Sequence, residues 1–137
     1  QLSYIFITQN INSYHAVLTG DKSTYRVKSF LGTMATKIFH ANSDIETNKY
    51  ASDLVGQDYF EDQNESTSFS EKFSHTQGKS YKLQPILRPE HFMKLKTGGK
   101  VCDYIVEGVI HRQGSPIYEN DNHVEVSFFQ KVNPLIK

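Results

Sequence analysis

Few residues in this sequence have a type and spacing that could do chemistry. Gln9 closes an apolar run, Tyr4 to Thr8, that reads as a fully buried parallel strand whose carboxyl end emerges at a functional edge. Sheets of that kind bind ligands beyond their strand ends, where a carboxamide donates to a phosphate oxygen and accepts from a water. Gln9 is therefore the leading candidate site residue. Glu107 and His111 stand four apart in a strand-like run, hence on one face, and together have the composition of an acid/base couple in a small hydrolase.

Other motifs are incomplete. Gly78-Lys79-Ser80 ends like a phosphate-binding loop, but Phe73 stands where the earlier glycine belongs, and no buried strand precedes it; a surface turn is the reading. The six histidines (His15, His40, His75, His91, His111 and His123) include no one-turn helical pair and no close cluster, so no metal site is expected. Cys102 is the single cysteine, which excludes a disulfide framework and fits a reducing compartment. As a nucleophile it would need a histidine across the fold. Ser115 follows Gly114 in a turn without a nucleophile elbow, which disfavours a serine hydrolase.

Fifteen basic residues against fifteen acidic ones leave no global field for nucleic acid or an anionic membrane, so any charge-driven role is local. Acidic residues from Asp44 to Glu71 dominate the middle. Lys79, Lys82, Arg88, Lys94, Lys96 and Lys100 then face only Glu90. With Tyr81 and Phe92 nearby, that basic stripe is a candidate nucleic-acid contact. Subunit packing and plain solvation use the same distribution. The longest apolar runs are too short to span a membrane, and the amino terminus lacks signal-peptide character.

At 137 residues the chain has the length of one domain, with 37% apolar residues to build a core. Asn10 caps a short helix carrying Ile11, Tyr14, Val17 and Leu18; a second helix from Asp21 aligns Val27, Phe30, Leu31 and Met34. A strand follows over 36–41. Ser43 with Glu46 forms a capping-box pattern for a helix that buries Ile45, Ala51, Leu54 and Val55 and ends at Gly56. This cadence predicts an α/β layer architecture with a mostly parallel sheet and flanking helices. Residues 57–80 read as a polar irregular insertion with one or two edge strands. Pro89 opens a helix with Phe92, Met93 and Leu95 that stops at Gly98 and Gly99, and strands follow over 103–112 and 124–129.

Three stretches together resemble one family. Tyr4-Ile-Phe-Ile-Thr-Gln-Asn10, then Thr36-Lys-Ile-Phe-His-Ala-Asn42-Ser-Asp44 with Thr47-Asn48, then Pro89-Glu-His-Phe-Met-Lys-Leu95 before Thr97-Gly-Gly99 are similar to the carboxyl-terminal part of TraG/TraD-type conjugative coupling proteins. The resemblance implies the later portion of a RecA-like P-loop NTPase fold. Residues 1–137 would then be a single α/β unit, a carboxyl-terminal fragment of a larger ATPase domain, as the apolar run right after Gln1 also suggests.

The parent would be a membrane-anchored homohexamer on the cytoplasmic side of the bacterial inner membrane. It would use ATP and Mg to drive relaxase-bound single-stranded DNA through a type IV secretion channel, and would contact relaxosome proteins. By that resemblance Gln9 acts at the terminal phosphate or its attacking water, and Asn10, Asp44, Thr47 and Asn48 lie near the nucleotide or a subunit boundary. The phosphate loop and the acidic metal-binding strand are not in this sequence, so the chain alone should not hydrolyse ATP, should hold no cofactor and should make no membrane contact. A stand-alone α/β protein-interaction module without nucleotide binding is the alternative expectation.

Overall fold

The computed structural model describes residues 3–61, 80–114, 117 and 121–131. The helices are α1 (Asn12–Val17), α2 (Ser23–Gly32), α3 (Ile45–Val55) and α4 (Pro89–Met93); the strands are β1 (Thr36–His40), β2 (Gln57–Glu61), β3 (Tyr81–Pro85), β4 (Ile105–Arg112) and β5 (His123–Phe129). The architecture is α/β, with one sheet ordered β1-β4-β5 and a separate ribbon of β2 and β3. Among the described residues no helix is long and apolar enough to cross a membrane.

Every strand pair is antiparallel, which corrects the expected parallel sheet. β1 runs against β4 with Thr36 opposite Arg112 and His40 opposite Gly108, and β4 runs against β5 with Ile105 opposite Phe129. The physical reason lies in the alternation. Lys37 and Phe39 turn inward from β1 between exposed neighbours, the pattern of a sheet covered on one face only, which antiparallel pairing accommodates.

The expected first strand is also absent. Tyr4, Ile5 and Ile7 are 71%, 90% and 93% exposed, and the run forms no strand and pairs with none among the described residues. Its apolar composition predicts burial, yet Phe6 alone of its large side chains is near half-covered. Phe6 meets Phe30 of α2 edge-on, with ring centres 5.2 Å apart.

The core sits between the inner face of β1 and β4 and the two helices α3 and α4. Ala51, Phe92, Leu95 and Val109 are buried there, with Phe39, Ala41 and Leu87 packed against them. On α3 the buried positions Thr47, Asn48, Ala51, Ser52 and Val55 recur at helical spacing, while Ile45 points to solvent. Gly56 ends the helix as expected, at φ +98. α4 starts on Pro89 as expected but stops at Met93, ahead of the glycine pair. β4 starts at Ile105 because Asp103 and Tyr104 both take positive φ, 52 and 59, which no strand tolerates. β2 supplies the edge strand anticipated within 57–80; residues 62–79 of that insertion, and with them Lys79, lie outside the described residues.

Candidate functional site

The residues nominated around Gln9 do come together, at the amino end of α3. The helix is capped by Asp44, not by Ser43: the Asp44 carboxylate accepts from the Thr47 amide at 3.0 Å and from the Thr47 hydroxyl. That hydroxyl then accepts the Ile11 amide at 2.9 Å. Its proton is committed to Asp44, so its lone pair is free for a donor from the first segment of the chain. Asn12 Nδ2 reaches the other Asp44 oxygen at 3.2 Å.

Asn42 closes the second side of the clasp. Its carboxamide oxygen accepts from the Asp44 amide at 2.7 Å, a local turn that sets up the cap. Its nitrogen donates to the Gln9 main-chain carbonyl at 2.6 Å. Asn48, only 1% exposed, donates from Nδ2 to the Asn42 carbonyl at 2.8 Å, so a buried amide finds its partner in the turn before its own helix. Asn10 accepts the Ser13 amide at 2.9 Å and so holds the start of α1, as its position had indicated.

The five nominated residues therefore divide. Asp44, Thr47 and Asn48 spend their polar atoms inside the clasp, and the carboxylate of Asp44 already occupies the helix end where a phosphate would otherwise sit. The Gln9 side chain is exposed and has no hydrogen-bond partner among the described residues. Asn42, which the sequence reading did not nominate, is the residue that holds Gln9. Its spacing two residues before a capping aspartate was the available signal.

Of the basic stripe, Lys79 lies outside the described residues and the other members are spread over different elements. Arg88 and Lys94, at the two ends of α4, line a cavity of about 540 Å³ with Phe60, Gln84, Pro85, Ile86, Leu87, Glu90 and His91. Lys82 stands opposite Phe60 on the ribbon. Lys96 donates its amide to the Glu107 carboxylate at 2.8 Å, and Lys100 begins the 3₁₀ turn Lys100–Cys102; neither lines the cavity.

The Glu107 and His111 couple is not an acid/base site. Four steps along the strand separate them by roughly 13 Å, far beyond proton transfer. Glu107 is engaged with Lys96, whereas His111 is 6% exposed and faces Lys37, His123 and Leu54. Burial is the main cause of its lowered pKa, with Lys37 and His123 adding to it. Its Nδ1 is buried without a partner among the described residues. Cys102 is partly exposed, on the 3₁₀ turn.

A family model described as the TraM recognition site of TraD and TraG matches residues 1–97 of the 137, a span that holds the whole clasp and the cavity lining. No curated protein and no solved structure matches the chain.

Proposed function

The chain belongs to the family described as the TraM recognition site of TraD and TraG, and from that premise we propose that it forms the partner-recognition and nucleotide-reporting portion of a conjugative coupling protein. The observation that carries the proposal is the clasp. Asn42, Asp44, Thr47 and Asn48 hold the Gln9 backbone to the start of α3 and leave its carboxamide exposed.

In the parent, a homohexameric RecA-like ATPase on the cytoplasmic side of the inner membrane, that carboxamide would meet the terminal phosphate of ATP or the water that attacks it. ATP and Mg would supply the transferable phosphoryl group and its charge neutralisation, and would be held by elements of the parent outside this chain. Gln9 fits one positioning contact; Asp44, Thr47 and Asn48 act as positioning residues behind it. Nucleotide state would then reach the recognition surface through α3, whose Ser52 hydroxyl donates to the Leu87 carbonyl at 2.6 Å beside the α4 cavity. A TraM-type relaxosome protein is the proposed partner, and relaxase-bound single-stranded DNA the cargo.

The test is Gln9→Ala in the intact parent, with ATP turnover, nucleotide affinity and capture of a TraM-type partner all measured. Turnover should fall sharply, while affinity for nucleotide and partner is kept. Unchanged turnover removes Gln9 from the nucleotide site, and partner capture indifferent to nucleotide would leave a recognition module only.

A further inference from the structure

The cavity beside α4 has a chemistry of its own. Its apolar lining comes from Phe60 of β2 and from Ile86 and Leu87 in the turn between β3 and α4. Arg88 and Lys94, both exposed, also line it, and among the described residues neither has an ion-pair partner. His91 is fixed in place by Glu125, Nε2 to Oε2 at 2.9 Å, and Glu90 is the one carboxylate in the lining. About 540 Å³ is within the usual volume of a ligand pocket and exceeds what one small side chain fills.

We propose that this groove docks an acidic peptide segment of a protein partner, with an aromatic or branched apolar residue seated on Phe60, Ile86 and Leu87 and flanking carboxylates meeting Arg88 and Lys94. A phosphate backbone fits the groove less well. It needs a continuous track of cations, whereas among the described residues the lining holds two members of the basic stripe, Arg88 and Lys94, together with the Glu90 carboxylate. Four apolar or proline side chains in the lining would face such a backbone with nothing to pair. An acidic peptide with an apolar anchor satisfies both halves of the surface, in the manner of a central anchor within a polar rim. The proposal shares with the family-based reading only the premise that this chain docks a protein, and does not depend on the nucleotide role of Gln9.

The test is selection of phage-displayed random dodecapeptides on the full chain, followed by fluorescence anisotropy with the selected peptides in synthetic labelled form. Enriched sequences should carry an aromatic or branched apolar residue with Asp or Glu beside it. Arg88→Glu combined with Lys94→Glu, both at exposed positions, should weaken binding about tenfold or more. Lys28→Glu, exposed on α2 and not part of the groove lining, should not change it. No enrichment, enrichment without acidic bias, binding indifferent to the double variant, or displacement of the peptide by an equal concentration of oligo(dT) would each overturn the proposal. The separate capture of a TraM-type partner by the parent would then still stand or fall on its own result.

Discussion

The Asn42 carboxamide nitrogen donates to the Gln9 carbonyl oxygen at 2.6 Å, joining the first segment of the chain to the turn that starts α3. The Ile11 amide on Thr47 Oγ1 is the second tie between the same two regions. Because the oxygen of the same carboxamide accepts from the Asp44 amide, Asn42→Asp keeps the turn but loses the donor. The variant should lose about 1 kcal/mol of stability, the scale of one net hydrogen bond. Hydrogen exchange should rise over residues 3–12 while α4 and β4 keep their protection; uniform protection would show that the tie holds nothing.

Asp44 serves three donors, the Thr47 amide, the Thr47 hydroxyl and Asn12 Nδ2. Asp44→Ala should therefore cost more than an ordinary cap, about 2 kcal/mol at the upper end of the capping range. Thr47→Val should cost less, since the amide cap survives it and only the hydroxyl relay to Ile11 is lost. Urea midpoints of the two variants give the order, and a reversal would place the weight on the hydroxyl relay.

The short-range grammar of the chain was legible. Gly56 ends α3 and Pro89 starts α4, because both depend on backbone preferences of single residues. The α3 cap was misplaced by one residue, since Ser43 and Asp44 both offer an acceptor; the Asn42 side chain, by taking the Asp44 amide, makes Asp44 the cap. Strand direction was not legible. Residues of β1 look alike whether the neighbour runs with or against them, and that neighbour, β4, lies far along the chain. The helix start near Asp44 was legible, whereas the strand whose end would place Gln9 does not form. The groove was not, because no periodicity reports that Phe60 on the ribbon meets α4.

The glycine pair after Leu95 should be intolerant of a side chain at its first position. Gly98 has φ +86, and a Cβ there would lie 2.6 Å from Gln130 Oε1, the atom that accepts the Gly99 amide at 2.7 Å. Gly98→Ala therefore meets a left-handed backbone penalty of about 1 kcal/mol or more and displaces Gln130 from its bond. Thermal melting should show a clear loss of stability. Adding Gln130→Ala should recover only the steric part, leaving the backbone penalty; full recovery would mean that φ at this position is free.

His111 should make the fold sensitive to mild acid. Lys37 on β1 and His123 on β5 stand directly across from it, and burial with these two groups lowers its pKa, against the nearby Leu54 backbone, which works the other way. The folded ring therefore holds its proton less tightly than the unfolded ring, whose ordinary value is about 6.5. Above that value both states are neutral and the site's contribution is complete. As the pH falls below it, the unfolded chain takes up the proton first, and stability declines until the folded ring is protonated too. His111→Gln removes this titration, so its stability should fall less steeply with pH below about 6.5 than that of the parent sequence, whatever its absolute value. His123→Gln should also flatten the decline in part, because one of the groups opposing the His111 charge is gone. Denaturant titrations across that pH window provide the slopes, and equal slopes for all three proteins would show that His111 takes no part.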